Sequence, residues 1–246
     1  PALPPPYSNV TALAVAGGRL YFAASDAAGE ELWVMDGTLA GTRRVKDLNP
    51  GAASSFPHAL TSVGGRLYFV AGDSTGKKSL WVTDGTEAGT VLLQTAASGW
   101  APEDEPRLLT PLGERLFFIM DDGLHGEEPW VTDGTPEGTR MLGDLMPEYG
   151  GSEPGSPTAV GSALYFVAYS PPDYVSALWV TDGTPEGTRR VPGGTSGLAH
   201  AAPRAGAVNL HGRLLFSGMG ADSSGFEPWV TDGTPEGTRR VKDVAP

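Results

Sequence analysis

Two residue types recur along this sequence in a combination suited to holding a sugar. An acid stands in each of five segments between apolar runs, Asp26, Asp73, Asp122, Asp173 and Asp222. An aromatic ring stands in four of the alternating segments, Tyr7, Phe56, Trp100 and Tyr149, and His200 in the remaining one. A ring stacks on the apolar face of a sugar while a carboxylate accepts hydrogen bonds from its hydroxyls. The same residues have a plainer structural reading, in which the rings cover grooves between packed elements and the acids start turns ahead of Gly29, Gly76, Gly126 and Gly225. Trp100 is set apart as the one tryptophan outside the repeated phrase described next.

That phrase comes round five times: "LWVMDGTLAGT", "LWVTDGTEAGT", "PWVTDGTPEGT", "LWVTDGTPEGT" and "PWVTDGTPEGT". An Asp, a Gly and hydroxyls so close together are the raw material of a calcium or phosphate loop. The phrase lacks the alternating Asp/Asn ligands of the first and the Lys of the second. A turn is the better reading: the Asp accepts from backbone two residues on, and Pro136, Pro185 and Pro235 sit where a type I turn favours Pro. Catalysis has less to work with. The chain has no Cys, and His58, His125, His200 and His211 occupy non-equivalent places in the repeat. The segments "TALAV", "HALTSV", "RLLTPL", "PTAV" and "GAVNL" contain no carboxylate to aim into a central funnel. The expectation is therefore no catalytic residue, no metal site and no cofactor, with His58 a wall residue.

The elements that position these groups follow from the repeat. Trp33, Trp81, Trp130, Trp179 and Trp229 are spaced by 48, 49, 49 and 50 residues, a period that belongs to propellers or solenoids. Each unit holds four runs rich in β-branched and aromatic residues, bounded by Gly and Asp turns, as in "HALTSV", "RLYFVA", "SLWVTD" and "TVLLQT". These are strands a, b, c and d of a meander. The consecutive apolar residues of "LYF" and "LWV" mark strands b and c as buried on both faces, and "TRRVKD" has the charge of a protected edge. The reading is all-β: one five-bladed β-propeller over 1–246, four antiparallel strands per blade, with blades at about 1–48, 49–97, 98–145, 146–192 and 193–246. The repeated Trp should fill the gap between neighbouring blades. The b–c and d–a loops share one end, where most of the variation between copies is found.

With Glu31, Glu128 and Glu227 two places before the tryptophan in three copies, the phrase resembles the ELWxxDGT-repeat family, bacterial and especially myxobacterial proteins predicted to be secreted. The likeness covers essentially the whole chain. It departs from the pattern at Ser79 and Ala177, in place of the Glu, and at Pro129 and Pro228, in place of the Leu. The resemblance implies a propeller and a location outside the cell or on its surface, and supplies no catalytic residues to carry over.

Bulk properties bound the rest. A formal charge of −12 repels a phosphate backbone, and no run approaches the ~20 apolar residues of a membrane helix. The start "PALPPPYS" has neither initiator Met nor signal-peptide shape, as in a mature or excised chain. These features together predict a non-enzymatic secreted or surface binding module with a glycan ligand, the alternative being a structural or protein-interaction module of a larger surface protein.

Overall fold

Runs of alternating turn signals and doubly apolar segments leave the backbone one way to satisfy its hydrogen bonds, the antiparallel meander. The computed structural model describes residues 8–27, 29–97, 104–147, 150–172, 174–193, 198–201, 206–222 and 225–244. Blade 1 consists of β1 (Ser8–Ala16), β2 (Arg19–Asp26), β3 (Gly29–Met35) and β4 (Arg43–Arg44). Blade 2 has β5 (His58–Val63), β6 (Arg66–Gly72), β7 (Lys78–Thr83) and β8 (Val91–Thr95). Blade 3 has β9 (Arg107–Leu112), β10 (Arg115–Asp121), β11 (Glu127–Thr132) and β12 (Arg140–Met141). Blade 4 has β13 (Gly155–Val160), β14 (Ala163–Ser170), β15 (Val175–Thr181) and β16 (Arg189–Arg190). Blade 5 has β17 (Leu198–Ala201), β18 (Val208–Leu210), β19 (Arg213–Gly220), β20 (Phe226–Thr231) and β21 (Arg239–Arg240). Strands pair in the order a-b-c-d in every sheet, and the fold is a five-bladed β-propeller.

Burial explains the patterning. From Leu67 to Gly72 every residue of β6 is buried, as is the run Leu116–Met120 of β10, as expected of strands covered on both faces. Strand d is shorter than "TRRVKD" suggested: only two residues pair in blades 1, 3, 4 and 5, against five in blade 2. In blade 5 strand a comes in two pieces, β17 and β18, which pair with opposite ends of β19.

Strand a also carries a bulge that no composition signal announces. Ala12, Ala59, Leu108 and Ser156, equivalent in the repeat, have φ of 48°, 52°, 53° and 53°, and the register of strand a against b shifts around each. In blade 5 the equivalent residue is Gly206, with φ of 85°, so there the sequence supplies the residue that tolerates this conformation.

Two compact units divide the chain: Pro1–Leu124 with Thr132–Arg140, and His125–Val131 with Met141–Pro246. In the first, Trp81 of blade 2 packs with Leu67, Phe69 and Ala71 against Tyr21, Leu32, Val34 and Val45 of blade 1. In the second, Trp229 of blade 5 packs with Leu214 and Phe216 against Tyr165, Leu178, Val180 and Val191 of blade 4. Trp81 and Trp229 thus fill the gap to the preceding blade, the place expected of the repeated Trp. In blades 1 and 2 the indole N–H is satisfied within the blade, Trp33 donating to Ala24 O at 3.1 Å and Trp81 to Ala71 O at 3.3 Å.

Candidate functional site

The repeated phrase and the loops at the far end of each blade have different chemistry. In the phrase, Asp84 ends strand c and its Oδ1 accepts from the Thr86 amide at 2.8 Å and the Thr86 hydroxyl at 2.7 Å. Thr86 Oγ1 in turn accepts from the Gly89 amide at 2.9 Å, and the Thr90 hydroxyl donates back to Thr86 O at 2.6 Å. The same four bonds recur around Asp36, Asp133, Asp182 and Asp232. These hydrogen bonds favour the ionised form and hold Asp36, Asp84, Asp133 and Asp232 below the usual carboxylate range. In each turn Oδ1 of the Asp is occupied by the turn itself.

The turn then docks on the preceding blade. Arg19 of β2 donates to Asp84 O at 2.7 Å, and Arg43 of β4 to Gly85 O at 2.5 Å. Arg66 reaches Gly134 O at 3.4 Å and Arg189 reaches Gly233 O at 3.0 Å. Beside each guanidinium a tyrosine closes on the glycine. A methyl group on Gly85, Gly134 or Gly233 would lie 2.7, 2.6 or 2.9 Å from the hydroxyl oxygen of Tyr21, Tyr68 or Tyr165. Those glycines have φ of 90°, 89° and 87°, so close approach and backbone geometry both require Gly. Sequence reasoning missed these tyrosines and arginines as docking residues. Their signal was the repeat itself, since Tyr21, Tyr68 and Tyr165 occupy one position of the period.

The glutamates before the tryptophan hold the loop that follows strand d. Glu31 is fully buried; its Oε2 accepts from the Ser55 hydroxyl at 2.6 Å and the Leu48 amide at 3.2 Å. Glu128, also fully buried, accepts from Ser152 Oγ at 2.6 Å and Leu145 N at 3.2 Å, and Glu227 from Val244 N at 2.9 Å. Burial pushes Glu31 up, and pushes Glu128 up to about 7, because desolvation outweighs the hydrogen bonds and Asp144 adds repulsion. In blade 2, where Ser79 replaces the Glu, strand d instead continues to Thr95 and the Ser79 and Thr95 hydroxyls meet at 3.3 Å.

At the other end of the blades the residues considered for sugar binding separate. Asp26 pairs with Arg44 at 4.0 Å and Asp222 with Arg240 at 3.1 Å. Asp73 Oδ1 accepts from the Thr75 amide at 2.8 Å, and Asp122 Oδ1 from the Leu124 amide at 2.9 Å, each starting a turn. Phe56 is 55% exposed, with Lys78 Nζ 5.3 Å from its ring centroid. Tyr7, Trp100, Tyr149 and Asp173 lie outside the described residues. His58 is held through Nδ1 to Phe56 O at 3.0 Å and through Nε2 to Glu105 at 3.2 Å, the bonding of a satisfied wall residue.

No family model matches the chain, and no curated protein matches its sequence. Solved structures do resemble it in fold. A structure described under two prolyl endopeptidases superposes with a TM-score of 0.54 at 16% identity, over 96% of this chain and 35% of that one. Oligopeptidase B from Leishmania major gives 0.53 at 11% identity, over 96% and 33%. A puromycin-hydrolyzing peptidase from Mycobacterium tuberculosis gives 0.51 at 15%, over 100% and 40%. This chain therefore spans between a third and two fifths of those proteins, and at such identity the likeness is one of propeller fold.

Proposed function

We propose that this chain is a non-enzymatic binding propeller of the ELWxxDGT-repeat type, displayed outside the cell or on its surface, which holds a protein partner on its b–c and d–a loops. One observation carries the reading: four acids of those loops are engaged within the chain while large apolar side chains of the same loops stand in water. Asp26 and Asp222 are paired to arginines and Asp73 and Asp122 start turns. In the first unit Phe56 is 55% and Leu124 84% exposed; in the second Tyr174 is 45% and Phe226 54% exposed. Exposed aromatic and aliphatic groups on a rigid frame are characteristic of protein-recognition surfaces.

Carbohydrate binding is the second reading, favoured by the exposed Phe56 ring with the Lys78 cation beside it. A glycan array separates the two. Under the protein reading no glycan binds above background, and proteins retained from an extracellular fraction by the wild type are lost with Leu124→Asp or Phe226→Asp but kept with Leu39→Asp, on the c–d turn. Glycan binding abolished by Phe56→Ala would replace it with the second reading, and partner loss shared equally by Leu39→Asp would remove the loop end from either.

A further inference from the structure

The first residue of strand d is Arg43 in blade 1 and Arg189 in blade 4. Each reaches the turn of the next blade, donating to Gly85 O at 2.5 Å and to Gly233 O at 3.0 Å. Blade 2 departs from this at one residue. Val91 holds the same register, opposite Val82 as Arg43 is opposite Val34 and Arg189 opposite Val180. A valine has no side-chain donor and only a fraction of an arginine's reach. The carbonyl of Gly134, equivalent to those of Gly85 and Gly233, is approached instead by Arg66 at 3.4 Å, beyond the usual N–H···O range.

The missing side chain leaves a groove. In blade 1 the space beside the turn is about 180 Å³ and is lined by blade 1 residues, Arg43 among them. In blade 2 it is about 320 Å³ and opens between two turns, with Asp84 and Gly89 on the blade 2 side and Gly134 and Glu137 on the blade 3 side. Val82, Val91 and Pro136 add an apolar wall against which methylene groups can lie. Asp84 and Glu137 set two carboxylates against the single cation Arg66. Hydrogen bonds from Thr86 hold Asp84 below the usual carboxylate range, so it is ionised at neutral pH. A second guanidinium beside Arg66 has a precedent within the chain. In blade 1 Arg19, the equivalent of Arg66, and Arg43 hold the neighbouring carbonyls of Asp84 and Gly85.

We propose that this groove binds an arginine side chain of a partner polypeptide, its guanidinium donating to Gly134 O as Arg43 and Arg189 donate to the equivalent carbonyls. Its charge faces Asp84 and Glu137, and its stem lies along the valines. The planar fork of a guanidinium can serve a carbonyl and a carboxylate at once, which a lysine ammonium does less well. The site is on the c–d turns, at the end of the blade opposite the b–c loops, and does not rest on the reading given to those loops.

Titration of the wild type with N-acetyl-arginine methylamide, followed by calorimetry and by amide chemical shifts, tests it. Saturable binding is expected with a Kd on the order of 1 mM, as suits a ligand this small, with shifts at Asp84, Val91, Gly134 and Glu137. N-acetyl-citrulline methylamide has nearly the same shape without the charge and should bind at least ~10-fold more weakly. Free L-arginine, run alongside, should bind no better than the blocked form; a preference for it would overturn the assignment to a polypeptide. Val91→Arg restores the residue that stands there in the other four blades, so the fold accommodates it. It should abolish binding by filling the groove from within the chain, with no fall in melting temperature. Glu137→Gln, at an exposed side chain, should weaken binding about 2- to 5-fold and leave the melting temperature unchanged. A wild type that shows no saturation, equal binding of the citrulline probe, or full binding retained by Val91→Arg would overturn the proposal.

Discussion

The Asp-Gly-Thr turns and the b–c loops both place an aspartate at the end of a strand, yet they use it differently. In the turns the carboxylate closes a four-bond network that is the same in five copies, and in blades 2, 3 and 5 the turn docks by its backbone carbonyls on arginines of the blade before it. In the b–c loops the described acids have no common partner: it is an arginine of strand d in blades 1 and 5 and a local amide in blades 2 and 3. A loop that must fit the neighbouring blade is constrained in both chain direction and side chain. A loop that only has to turn back is not, and it is the second kind that is open to carry recognition.

The largest effect that would break this distinction is in packing. Trp81→Ala empties the contact with blade 1 and should cost about 3–5 kcal/mol of unfolding free energy, read by chemical denaturation. Phe56→Ala, on an exposed d–a loop, should stay within about 0.5 kcal/mol. Equal costs would mean that the loop end is as structural as the repeated phrase.

The next concerns the glutamate that links the two regions. Glu128 has a folded pKa of about 7, above its value of 4.5 when exposed, so the folded chain holds more protons between these limits. Its contribution is fully favourable below about pH 4.5 and is lost as pH rises through 7, a fall of a few kcal/mol at most at ~1.4 kcal/mol per pH unit. Glu128→Gln should remove that portion of the pH dependence, and denaturation midpoints from pH 5 to 8 follow it (~1 pH unit steps suffice). An unchanged slope in the variant would show that Glu128 is not the group titrating.

The smallest effect is at the ion pairs. Asp222→Asn should cost about 0–1 kcal/mol and less in high salt, since both side chains are partly exposed. A larger loss would make the b–c acid part of the frame.

Much of the frame was legible because it repeats. The tryptophan spacing located the strands, and the double apolar runs located the buried pair b and c, whose burial in β6 and β10 follows that pattern. The length of strand d was not legible: "TRRVKD" has the composition of a six-residue edge, but pairing stops at Arg43–Arg44 and the chain then turns to Glu31, which binds the Leu48 amide. The positive φ at Ala12, Ala59, Leu108 and Ser156 left no trace in residue type, because four different contexts tolerate it through the bulge. For the loops, the acids were visible but their partners were not. Arg44 and Arg240 reach them from strand d, across the sheet, which is a tertiary fact that spacing along the chain does not encode.

The account stands on the claim that the repeated phrase is a blade-to-blade clamp, and a double-mutant cycle on Tyr68 and Gly134 tests it most directly. Gly134→Ala places a methyl group against the Tyr68 hydroxyl and in an unfavourable backbone conformation, at a combined cost of about 1–3 kcal/mol. Tyr68→Phe removes the hydroxyl and should recover part of that cost, giving a coupling of about 0.5 kcal/mol or more. Strictly additive losses would contradict the clamp and return the phrase to being a turn without a neighbour.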